Sequence, residues 1–179
     1  MKLKIKVKRL NCNIELPTII EKGEWVDLRS SSTVTLKAPQ SETLKSHRVG
    51  DNRVYYRNVN FDSILIPLGI AMKLPDGFEA IVAPRSSTYN KFGIIQTNSL
   101  GIIDNSYCGN EDEWQFPATA LRETTINTGD RICQFRIQLS QKATIWQRLK
   151  WLFSSGIKIV EVDNLSNNNR SGIGSTGVK

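Results

Sequence analysis

The sequence predicts an all-β fold, a barrel or sandwich of short strands, on three observations. Short apolar runs recur at spacings of roughly 8–12 residues. Turn formers separate them: Pro39, Pro67, Pro75, Pro84 and Pro117, with Gly69, Gly77, Gly93, Gly101, Gly109 and Gly129. Only one stretch carries a helical period, which argues against alternating β and α units. The 179 residues are one domain's length, and 39% apolar residues suffice for its core, which excludes a disordered chain.

Taken in order, Lys2–Arg9 alternates Lys2, Lys4, Lys6 and Lys8 with Leu3, Ile5 and Val7, the pattern of a strand with one wet face. Thr33–Lys37, Ser63–Ile66, Ala80–Ala83, Gly101–Ile103, Phe116–Leu121 and Arg131–Leu139 are the other strand candidates. Between them Gln40–Asn60 is polar and reads as an insertion, a hairpin or a mobile loop around Val54, Tyr55 and Tyr56. Thr144–Ser155 reads as one short amphipathic helix and a second insertion. Its stripe of Ile145, Leu149 and Leu152, with Trp146 and Phe153, is expected to pack on the body; a membrane or partner contact is the alternative. Residues 1–163 form the body. Residues 164–179 are Asn, Ser and Gly with almost no apolar anchor, and read as a flexible arm.

Lys plus Arg is 24 against 17 for Asp plus Glu, a formal charge of +7. The basic residues do not cluster as a nucleic-acid footprint does, so no nucleic-acid partner is expected; attraction of a small polyanion is the other use of such charge. No apolar run approaches the ~18 residues of a membrane span, and MKLKIKVKRL lacks the apolar run of a signal peptide. Cys12, Cys108 and Cys133 cannot all pair and lack metal-ligand spacing. The expectation is a reduced cytoplasmic protein with no membrane partner. A single histidine, His47, argues against a His-based metal site or a Ser-His-Asp triad.

The chemistry concentrates between Ile81 and Gly109. Pro84-Arg85-Ser86-Ser87 puts a guanidinium and two hydroxyls at a strand end, where phosphate oxygens are well met. Asn98–Gly101 reads as a hairpin. Asp104 follows Ile102 and Ile103 directly, as a general base at an apolar rim or as a turn aspartate. Arg170-Ser171-Gly172-Ile173-Gly174-Ser175-Thr176-Gly177 holds phosphate-cradling groups but is no Walker loop.

In that order the segments resemble the five motifs of the trimeric dUTPases, the dUTP pyrophosphatases. Val26-Asp27-Leu28 is similar to the first and Ala83–Ser87 to the second. Asn98 through Tyr107 with Gly109 resembles the third, Gly129-Asp130-Arg131-Ile132-Cys133-Gln134 the fourth, and Gly172–Gly177 the fifth. The resemblance covers most of the chain and is nearest the branch of bacilli and their phages. It implies a jelly-roll β-barrel, a homotrimer with sites shared between subunits, and Mg²⁺-dependent hydrolysis of dUTP to dUMP and pyrophosphate. By the same resemblance Asp104 deprotonates the attacking water and Asp27 meets the Mg²⁺ through water. Ser86 and Gln134 donate to the phosphates, with Arg85 and Ser87 beside them. Asn98 and the backbone of Gly101 and Ile103 read uracil, and Tyr107 lies under the deoxyribose. Arg170, Gly174, Ser175 and Thr176 would close over the β and γ phosphates from a neighbouring subunit.

Three departures stand out. Ile173 occupies the place of a Phe that stacks on uracil, Arg170 stands three residues before that place rather than five, and Cys108 replaces a common Arg or Gln. Trp114 and Phe116, two residues apart and so on one face of a strand, are candidates for the missing ring, with core packing as the other reading. Two rival functions share the resemblance. A dCTP deaminase needs a glutamate in the base pocket, and the first nearby is Glu111. A regulatory module would use the two insertions to meet a protein.

Overall fold

Alternation in β1 (Leu3–Arg9) buries Leu3, Ile5 and Val7 and leaves Lys4 and Lys6 in solvent, as the period of two requires. The structure, a computed structural model, describes residues 1–19, 23–166 and 168–170. The remaining strands are β2 (Val26–Arg29), β3 (Val34–Leu36), β4 (Gln40–Ser41), β5 (Lys45–Val49), β6 (Asn52–Tyr56), β7 (Val59–Asn60), β8 (Ser63–Pro67) and β9 (Ile70–Lys73). They continue as β10 (Phe78–Pro84), β11 (Ile94–Gln96), β12 (Gly101–Ile103), β13 (Gln115–Ala120), β14 (Thr124–Ile126), β15 (Arg131–Leu139) and β16 (Ile157–Glu161). The helices are α1 (Thr88–Phe92) and α2 (Ile145–Leu152).

Three sheets carry the body. One has the order β16-β1-β9, one β12-β10-β15-β2, and one β11-β13-β8. β1 runs parallel to β16 and antiparallel to β9; the pairs within the other two sheets are antiparallel. A single core cluster takes side chains from all three, among them Ile5, Phe78, Phe116 and Phe135. Each such large apolar side chain contributes ~1.5–3 kcal/mol by leaving water.

The Gln40–Asn60 stretch is a double ladder, β4 with β7 and β5 with β6, and every residue of these four strands is exposed. Of the two alternatives, the hairpin is the one observed. Asn98–Gly101 is not a hairpin: β11 pairs with β13 and β12 with β10, so the turn is a corner between two sheets.

Helix α2 forms where expected. Thr144 caps it, and Gln147 closes the reciprocal capping box. Its packing differs from expectation. Ile145, Trp146, Leu152 and Phe153 are exposed and Leu149 is at the edge of exposure, while Trp151 is the ring that packs on the body, 5.2 Å from Phe78. The eight-residue helix makes its contact with the body through the Trp151 side of the cylinder, which turns the predicted stripe outward.

The start of the arm is likewise not free. Leu165 is buried, and Asn164 and Asn169 bond the loop at Asn110 and Glu111. Polar composition hid this, because one leucine and a set of side-chain amides do the anchoring.

Candidate active site

Two clusters hold the predicted site residues. The first forms where β10 and β2 flank β15. Asp27 stands opposite Gln134 and Pro84 opposite Cys133, so three strands converge on one strand end. There the chain turns at Arg85. Thr88, fully buried, locks that turn: its hydroxyl accepts from the Arg85 N–H at 3.0 Å and donates to the Ile132 carbonyl at 2.8 Å. The Arg85 Nε donates to Asp27 Oδ1 at 2.8 Å, and the Arg131 Nη1 donates to Asp27 Oδ2 at 3.0 Å. Asp27, 8% exposed, is thus neutralised by two guanidiniums. Gln134 donates to the Pro84 carbonyl at 3.2 Å, while Ser86 and Ser87 are exposed at the turn. Lys91 at the end of α1 pairs with Asp130 at 3.0 Å, and Gly93 ends the helix at φ 62°, a backbone that glycine adopts without strain.

The second cluster follows β12. Asp104 is exposed, and its backbone carbonyl accepts from the Tyr107 N–H at 3.0 Å in a turn. Its side chain receives the Arg170 Nη1 at 3.1 Å, and the same guanidinium donates to Ser106 Oγ at 2.8 Å. Tyr107 is half-buried and donates to the Glu113 carbonyl at 3.0 Å. Burial raises its phenol above the ordinary value, and the charges of Asp112 and Glu113 add to that. Asp112, almost fully buried, accepts from the Gly109 N–H at 2.7 Å and from the Arg170 N–H at 2.8 Å. Gly109 is tight against the arm: a Cβ there would lie 2.8 Å from the Asn168 carbonyl. Asn98 is exposed at the sheet corner, with Gly101 beneath it at the start of β12.

Sequence reasoning named most of these residues and missed four. Arg131 was visible in the fourth motif as a second cation near Asp27. Thr88 and Asp112 are polar residues beside named ones, and Gln96, described below, carries no sequence signal. The structure corrects one reading. Trp114 and Phe116 are fully buried, with the Trp114 ring edge-on to Phe135 at 5.3 Å, so neither can lie on a substrate; both fill the core. Within the chain, Arg170 lies on Asp104. Ile173, Gly174, Ser175 and Thr176 lie outside the described residues.

The clusters lie far apart in one chain. Ile103 faces Ala80, so Asp104 falls level with Glu79, whereas Arg85 follows the other end of the same strand. At ~3.4 Å per residue the two levels differ by roughly 20 Å.

The chain is thus an all-β protein with guanidinium and hydroxyl groups at one strand end and an exposed carboxylate at the other. The chain belongs to the dUTPase family: the family's sequence model, described as dUTPase, matches residues 52–150. It is 42% identical to an SPbeta prophage-derived deoxyuridine 5'-triphosphate nucleotidohydrolase of Bacillus subtilis over 177 residues, covering 99% of this chain and all of that protein. A deoxyuridine 5'-triphosphate nucleotidohydrolase of Finegoldia magna is 34% identical over 145 residues, 78% of this chain and 90% of its own. Among solved structures, a phage phi11 dUTPase of S. aureus, described with a structural Mg(II) ion, superposes with a TM-score of 0.58 at 16% identity. It covers 79% of this chain and 94% of that one. The dUTPase of Streptococcus mutans does so at 0.55 and 18%, covering 72% and 88%. These likenesses bear out the jelly-roll β fold.

Proposed function

We propose that this protein hydrolyses dUTP to dUMP and pyrophosphate, which keeps uracil out of DNA and supplies dUMP for thymidylate synthesis. The observation that carries the reading is the placing of Asp104: an exposed carboxylate with an arm cation beside it, at the end of the strand that starts at the Asn98 corner. Asp104 takes a proton from a water whose oxygen attacks the α-phosphorus. The bond from that phosphorus to the bridging oxygen breaks, and pyrophosphate leaves with the electron pair. Ser86, Ser87 and Gln134, with the Arg85 held by Asp27, bind the phosphate chain. Asn98 and the Gly101–Ile103 backbone hold uracil, and Tyr107 closes the space under the sugar.

A Mg²⁺ ion would supply charge neutralisation to the triphosphate. Among the described residues no three carboxylate, thiol or imidazole groups converge, and each Asp27 oxygen already accepts from a guanidinium. That donor set suits an ion carried in by the triphosphate and keeping its waters, with Asp27 reaching one of those waters by a remaining lone pair.

The ~20 Å between the clusters supports a site shared between copies, as in a homotrimer. The test is pyrophosphate release from dUTP, dCTP, dTTP and UTP. Rapid release from dUTP alone supports the reading, and equal or absent release overturns it. For sharing, Asp104→Asn and Arg85→Ala proteins are mixed and reassembled. Recovered activity supports a shared site; none, with mixed oligomers verified by mass, counts against it.

A further inference from the structure

Gln96 ends β11 at the sheet corner and is 7% exposed. Its Nε2 donates twice, to the Val82 carbonyl at 3.3 Å and to Asn98 Oδ1 at 2.8 Å. A backbone carbonyl only accepts, so Val82 fixes which end of the Gln96 amide faces it. The second N–H of Gln96 then fixes the Asn98 amide, which must offer its oxygen. Among the described residues nothing accepts from Asn98 Nδ2, so that NH₂ is left to donate outward from the exposed side of the corner.

At the other end of Gln96, the buried Oε1 accepts from nothing among the described residues. A buried unsatisfied acceptor costs stability, and an apolar side chain of similar shape would avoid that cost. The residue is therefore better explained by what its nitrogen does. Gly101 makes the room: a Cβ there would lie 3.1 Å from Gln96 Nε2 and 3.3 Å from Val82 Cβ.

We propose that Gln96 is a specificity-determining positioning residue. It holds Asn98 with the NH₂ turned to the base, so the site offers a donor where uracil has its 4-carbonyl and cytosine its 4-amino group. This rests on reading Asn98 as a base-binding residue of a dUTP site. A donor facing a donor leaves both unpaired, and a site built to bond one group rejects its opposite strongly. With Gln96 gone, the Asn98 amide turns over freely and can present its oxygen to cytosine.

The test compares Gln96→Met, similar in length and without an amide, with Gln96→Glu. In Gln96→Met the melting temperature is expected to hold or rise. The KM for dUTP rises roughly tenfold, more than kcat falls, and the dUTP-over-dCTP ratio of kcat/KM drops about tenfold. Gln96→Glu accepts instead of donating, so it turns the Asn98 NH₂ inward and lowers the ratio further. A ratio unchanged in both variants overturns the proposal. So does Gln96→Met losing stability with unchanged affinity per folded molecule, which marks a structural residue. A second readout needs no substrate: the side-chain amide of Asn98, followed by NMR, is rigid in the parent and mobile in Gln96→Met. A mobile Asn98 in the parent also overturns the proposal. A rigid Asn98 in a protein that ignores dUTP would instead overturn the assigned activity and leave the relay standing.

Discussion

The Arg170 guanidinium lies 3.1 Å from the Asp104 carboxylate of its own chain and also holds Ser106, so the arm's one described cation rests on the proposed base. The contact is half open, with side-chain exposures of 31% and 61%, which makes it weak and easily exchanged for another anion. In the proposed reaction, a triphosphate bound beside Asp104 would offer Arg170 that alternative.

The role of Asp104 follows directly. Asp104→Asn keeps an oxygen for Arg170 and loses the basic carboxylate. The rate of pyrophosphate release from dUTP should fall by ~10² or more with little change in nucleotide affinity. Near-normal turnover would remove Asp104 from the chemistry.

Both oxygens of Asp112 are used, one on the Gly109 N–H and one on the Arg170 N–H. Asp112→Ala should release the root of the arm. Trypsin cleavage after Arg170 should accelerate by roughly tenfold, the value of a hydrogen bond to a charged acceptor. Cleavage at the parent rate would mean the arm is held elsewhere.

Asp27 ties together the strand end proposed to bind phosphate, with Arg85 on one oxygen and Arg131 on the other. Asp27→Ala leaves both guanidiniums without their partner. Because Arg131 is 44% exposed and partly served by water, the loss should be modest, about 1–3 kcal/mol by urea unfolding. Asp27→Asn, which can still accept one bond, should lose less. Equal losses would show that charge rather than geometry matters there.

The three thiols differ in access. Cys12 is exposed; Cys108 and Cys133 are buried, and burial, aided by the nearby Asp27 charge, pushes the Cys133 thiol far up. A thiol reagent at neutral pH should label one cysteine in the folded protein and three after denaturation. Rapid labelling of Cys133 would contradict its place between β2 and β10.

The sequence carried the strands and the first cluster well, because period-two alternation and strand-end motifs are local signals. Leu3, Ile5 and Val7 announce their face, and Arg85 and Gln134 lie at positions set by strand pairing. It carried face but not depth. Trp114 and Phe116 do share a side, but whether that side meets solvent depends on a sheet the local pattern does not encode. Helix α2 shows the converse: its stripe is clear in sequence, yet the side that packs is the one carrying Trp151 and Gln147. Gln96 and Asp112 act through single hydrogen bonds formed across the fold, and no spacing rule marks them.

Tyr107 has two parts to play: its ring is proposed to limit the sugar, and its hydroxyl ties the turn to Glu113 at 3.0 Å. Tyr107→Phe keeps the ring and drops the bond. It should cost about 1 kcal/mol of stability and keep the preference for dUTP over UTP. Tyr107→Ala drops both, and UTP turnover relative to dUTP should rise. The raised phenol sets a pH signature as well. A folded pKa above the unfolded one means that this contribution is complete below the unfolded value, near pH 10, and is lost as pH climbs through the folded value. The parent should therefore lose stability relative to Tyr107→Phe above about pH 10, read as a falling difference in urea midpoints. A difference that stays flat to pH 11 would show that the phenol ionises as freely folded as unfolded. An unchanged UTP ratio in Tyr107→Ala would move sugar discrimination to the Gly101–Ile103 backbone.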